Sequence, residues 1–143
     1  MIRQTIYIDK LGWLVYAYFY KTKYDVDEIM EKLFDLGCDS KTAWEAYENL
    51  SSDSLNTGLC YSNYKGKQSV MVVGKTSCAA ELFNSFHHEL KHLESHISKV
   101  FQFDPLGEDA AYLSGELAMI MFPKIKHLLC DCCRKKEDGY EKA

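Results

Sequence analysis

At 143 residues, with 47% hydrophobic and 27% charged side chains, the chain has the size and make-up of one soluble globular domain with its own core. Seventeen Lys and Arg against 21 Asp and Glu give a formal charge of −4, which argues against nucleic acid as a partner because such proteins present a basic patch. No apolar run is long enough to span a bilayer, so no membrane role is expected.

From the start of the chain, Gln4 to Ile8 and Trp13 to Tyr20 are rich in aromatic and β-branched residues and read as two strands around a turn at Asp9–Gly12. The second run is too aromatic for a signal peptide, and Lys21-Thr22-Lys23 replaces the small residues of a cleavage site, so a cytoplasmic protein is expected. Asp25 is placed to cap a helix from Val26 to Leu36 that Gly37 ends. Asp39 or Ser40 is placed to cap another through Leu50. After a polar connector, Leu59 to Tyr64 and Gln68 to Val73 read as a hairpin around Lys65-Gly66-Lys67. Thr76 or Ser77 then caps a long helix that runs out near Phe101. Phe103-Asp104-Pro105-Leu106-Gly107 is a turn, and a further helix starts at Glu108 and continues through Ala118. Pro123 opens or kinks a third segment through Ile125, Leu128 and Leu129, and the polar residues 134–143 read as a frayed tail. The fold class is therefore α+β, one domain over residues 1–143, with a small sheet packed against helices.

The long helix carries His88-Glu89-Leu90-Lys91-His92, a match to H-E-x-x-H. Residues four apart share one helix face, so His88 and His92 can offer ring nitrogens to one ion. Zn2+ is the default metal, bound by imidazole at about 2.0–2.1 Å. Phe83, Phe86, Leu90, Leu93 and Ile97 recur at helical spacing and face a core, whereas Ser85, His88, Glu89, His92 and His96 share the opposite arc. Glu89, beside the pair, is placed as the general base for water. Glu108 is the candidate third ligand, because a helix returning after the turn can carry its first-turn carboxylate back towards the histidines. Asp104, within the turn, is the runner-up. His96 lies about 12 Å along the axis from His88 and cannot share its ion on a straight helix. His87 points about 100° away.

The layout resembles the gluzincins, zinc peptidases with H-E-x-x-H on one helix and a glutamate on the next. The run Leu113-Ser114-Gly115-Glu116-Leu117 and His96 are similar to the same elements of ImmA/IrrE-type repressor-cleaving proteases. The likeness covers residues 68–122. It implies a zincin-like domain with the metal site between two helices, held by His88, His92 and Glu108. It implies cleavage of a peptide or protein substrate, by limited cut of an intracellular protein, with the strand Ser69–Val73 as the edge along which substrate pairs. The chain departs from the gluzincin pattern at Tyr112, which stands where an acid supports a ligand histidine. Tyr112 is the candidate oxyanion stabiliser, ahead of Tyr61, Tyr64 and His127. The alternatives are a catalytically inactive zincin-like module that binds a peptide or protein, and a helical interaction protein without metal.

The six cysteines do not make a disulfide framework. Cys38, Cys60 and Cys78 are scattered, but Cys130, Cys132 and Cys133 crowd together near His127 and could bind a soft metal or respond to oxidation. Nothing in the sequence fixes the number of copies in the assembly.

Overall fold

The computed structural model describes residues 1–52 and 54–135. It is an α+β fold in three layers, built on a four-stranded mixed sheet of order β1-β2-β4-β3. The strands are β1 (Ile2–Ile8), β2 (Trp13–Lys21), β3 (Gly58–Asn63) and β4 (Gln68–Gly74). β1 pairs antiparallel with β2, β2 parallel with β4, and β4 antiparallel with β3. β4 is therefore an interior strand, and β3 and β1 are the two edges. That corrects the expectation that Ser69–Val73 forms an edge. The near-continuous apolar run Val70-Met71-Val72-Val73 has its physical reason here, because a strand covered on both faces need not alternate.

Helices α1 (Val26–Asp35) and α2 (Ser40–Ser51) cover one face of the sheet, packing on Tyr18, Val70 and Val72. Helices α3 (Ala79–Phe101) and α4 (Glu108–Ile125) cover the other, on Val15, Ala17, Phe19, Met71 and Val73. α3 lies along β4 and β3, and α4 lies on the β1 side of α3. Strand alternation sets this division: successive residues of β2 and β4 deliver side chains to opposite layers.

The helix ends show where local reading was sufficient. Asp39 caps α2 as expected, accepting from Thr42 N at 2.8 Å. Asp25 does not cap α1. Its carboxylate turns back to the preceding turn and accepts from Thr22 N at 2.9 Å and Thr22 Oγ1 at 3.1 Å. α3 starts at Ala79, after Cys78, and neither Thr76 nor Ser77 caps it. The cap comes from far along the chain: Asp131 Oδ1 accepts from Ala79 N at 2.8 Å. α4 runs on through Pro123 to Ile125, so Pro123 lies inside this helix and does not open a separate segment. Arg134, expected at the start of a frayed tail, is only 4% exposed and donates to Thr76. The rest of that tail, residues 136–143, lies outside the described residues.

Candidate functional site

α3 has its buried face built from Leu82, Phe86, Leu90, Leu93 and Ile97. Phe83, expected in that stripe, is exposed and meets the His87 ring edge-on, at 4.5 Å between centroids. His87 also contacts the Phe86 ring. On the side towards β3, His88 and Glu89 line an open cleft of about 460 Å³ with Asn49, Thr57, Gly58 and Ser85.

The structure brings His88 and His92 together. Their Nε2 atoms stand 3.2 Å apart, with the rings edge-to-face. Two ligands at about 2.05 Å from one tetrahedral centre stand roughly 3.3 Å apart, so this spacing fits a pair of imidazoles on a single zinc.

Glu89 is expected on the solvated arc, yet it is only 7% exposed. The absence of a Cβ at Gly58 makes room for it. A Cβ there would lie 3.0 Å from Glu89 Oε1. Glu89 Oε2 is buried and meets no hydrogen-bond partner among the described residues. Burial pushes its carboxyl up to about 7, with the neighbouring His88 pulling weakly the other way. A folded-state pKa above the ordinary 4.5 means that the folded chain holds this proton more tightly than the unfolded one. The resulting stability is complete below 4.5 and is lost as pH rises through 7. His96 acts with the opposite sign: its pKa is lowered, first by burial and then by His92 and Lys99, so protonation at low pH destabilises the fold. Thermal unfolding of metal-free protein against pH separates the two. Glu89→Gln should gain about 1–2 kcal/mol over wild type above pH 7 and nothing below pH 4.5.

Glu108 is not brought to the histidine pair. α3 continues nine residues past His92 before it ends at Phe101, so Glu108 starts α4 at the far end of α3, about 14 Å along the axis. α4 also lies on the β1 side of α3, whereas His88 faces β3. His88 and Glu89 thus border a cleft between a helix and an edge strand, not the expected space between two helices. Asp104 lies in the same distant turn, where its Oδ1 accepts from Leu106 N at 3.0 Å. Tyr112 is exposed on α4, and Tyr61 packs on the α1–α2 face of the sheet, away from the histidines. Tyr64 meets His96 edge-on, 5.6 Å between centroids. His127 lies in a 3₁₀ turn after α4.

His96 belongs to a buried polar chain that its spacing does not reveal. Trp13 Nε1 donates to Ser69 Oγ at 2.9 Å, the Ser69 and Ser62 hydroxyls bond at 2.6 Å, and Ser62 Oγ lies 2.7 Å from His96 Nδ1. An indole can only donate, so the hydroxyls can run from Trp13 to the imidazole, leaving a neutral His96 with its proton on Nε2. The signal lies in the register of β3 with β4, which sets Ser62 opposite Ser69.

Among the described residues, the one group of three or more His, Cys, Asp or Glu ligand atoms within 4.8 Å of one another is Cys130, Cys132 and Cys133, which could hold a metal ion. Cys130 and Cys132 share a short contact of 3.0 Å, which lowers the first thiol to about 7 and pushes the second up to about 11. No helix of the described residues is long and apolar enough to cross a membrane. Comparison of the chain with protein-family models, curated proteins and solved structures finds no match.

Proposed function

We propose that the cleft between α3 and β3 is the active site of a zinc-dependent metallopeptidase. The observation that carries this reading is the 3.2 Å approach of His88 Nε2 and His92 Nε2 beside the buried, raised-pKa carboxyl of Glu89. A zinc ion at such a pair supplies Lewis acidity towards a substrate carbonyl and acidifies water. Glu89 takes the proton of the attacking water at its carboxylate and passes it to the departing amine nitrogen. In the metal-free chain burial raises this carboxyl, and a group able both to accept and to return a proton serves the two halves of that transfer.

β3 supports a peptide rather than a small molecule as substrate. It is an edge strand beside the cleft, and an edge can pair with the backbone of an extended peptide. Asn49 Nδ2 already donates to Gly58 O at 2.8 Å, so a paired peptide would use the edge groups of β3 beyond Gly58. Limited cleavage of an intracellular protein is the substrate reading that the gluzincin resemblance suggests.

A second reading has its own observation. No third protein donor among the described residues joins the histidine pair. Catalytic zinc sites use three protein ligands, so a catalytically inactive module that binds a peptide along β3 also accommodates the geometry. Loss of bound zinc in His88→Ala together with protein cleavage by wild type supports the enzyme. Zinc loss without any cleavage supports the binding module.

A further inference from the structure

Outside the cleft, the chemistry-bearing group is the segment Cys130-Asp131-Cys132-Cys133-Arg134. The three thiols lie within 4.8 Å of one another, and they do so on a segment fixed to the body of the protein. The two residues interleaved with the cysteines do the fixing. Asp131 closes the first turn of α3 through Ala79 N, at 2.8 Å. The Arg134 guanidinium, itself buried, donates to Thr76 Oγ1 at 3.1 Å and to Thr76 O, and lies over the Tyr20 ring. Backbone bonds from Cys133 N and Arg134 N to Cys130 O, both 3.1 Å, close the turn. With Asp131 and Arg134 spent on these contacts, the thiols are left for another purpose. Cys132 is exposed and Cys130 and Cys133 are half-buried, so an ion from solvent can reach them.

We propose that Cys130, Cys132 and Cys133 form a three-thiolate site for a soft, thiophilic cation of the monovalent copper class. Three sulfurs about 2.3 Å from one centre stand roughly 3.8–4.0 Å apart, so Cys130 Sγ and Cys132 Sγ, 3.0 Å apart without an ion, open by about 1 Å on binding and stay inside the 4.8 Å grouping. Thiolate ligands select soft ions over calcium or magnesium. Structural zinc takes four ligands, and only three are gathered here among the described residues. Cys78, next to Ala79, stands outside the group although the segment is bonded on both sides of it. Binding releases whatever protons the three thiols still carry, so it strengthens as pH rises. The site is independent of the α3–β3 cleft.

The test is anaerobic competition for Cu(I) between the reduced protein and a chromophoric Cu(I) chelator. Wild type should withdraw one equivalent, and His88→Ala should withdraw the same. Cys132→Ser, at an exposed position that does not disturb folding, and Cys130→Ser should each bind at least tenfold more weakly. Withdrawal that is absent in wild type, or equal in wild type and both serine variants, overturns the site. A result in which Cys78→Ser weakens binding as much as Cys132→Ser overturns the three-thiolate assignment.

Discussion

Replacing Glu89 by Gln should lower peptide-bond cleavage about 10²–10⁴-fold while leaving bound zinc in place. The amide keeps the volume of the carboxyl and cannot take a proton from water, so the loss falls on the chemical step. Glu89 is not one of the two converging imidazoles, so metal content is unchanged. Three features of its setting set it apart from a surface acid and support the proposed role as base. It is buried beside Gly58, one of its oxygens has no partner among the described residues, and its pKa is raised to about 7. Turnover with a quenched peptide library or a cut protein, beside zinc content by elemental analysis, checks both halves. Cleavage unchanged in Glu89→Gln would remove Glu89 from the mechanism.

Gly58→Ala should cost about 1–3 kcal/mol of stability, a fall of roughly 3–10 °C in Tm, and should impair cleavage as well. The added Cβ would lie 2.6 Å from Val72 O, a backbone atom of the neighbouring strand that cannot swing aside. It would also press on Glu89 Oε1 at 3.0 Å and Glu89 Cγ at 3.3 Å. One substitution therefore spreads β3 from β4 and displaces the carboxyl. Gly115→Ala is the control, since a Cβ there meets nothing within 4 Å. In the interior of α4 it should stabilise by about 0.5–1 kcal/mol. Thermal unfolding of the two variants should thus move in opposite directions.

The parts of the fold legible in the sequence are those set by local periodicity. The H-E-x-x-H helix, its end at Phe101, the start of α4 at Glu108 and the Asp39 cap all follow from side-chain spacing and short-range capping. The parts that were not legible depend on contacts across the chain. β3 rather than β4 is an edge because a parallel pairing inserts β4 beside β2, and no residue pattern within the hairpin announces that. Helical spacing alone places Glu89 on the arc of the histidines. Its burial depends on β3 running alongside with a glycine opposite it. The Asp131 cap on α3 spans 52 residues, and Ser77, the local candidate, bonds instead to Glu81.

Glu108 illustrates the limit most sharply. A returning helix can carry a first-turn acid back to a metal only if the first helix stops soon after its second histidine. Here α3 goes on for nine more residues, and the turn delivers Glu108 to the wrong end. The residues that reach His96 come from the sheet below it, not from a helix.

The most direct test of the central claim is zinc bound per chain, measured by elemental analysis in a Cys132→Ser background with and without His88→Ala. The background weakens the thiol cluster as a second home for metal. One equivalent in Cys132→Ser, falling to none when His88→Ala is added, is the result expected of a histidine-held zinc on α3. The same zinc content in both proteins, or none in either after zinc-replete purification, would contradict it.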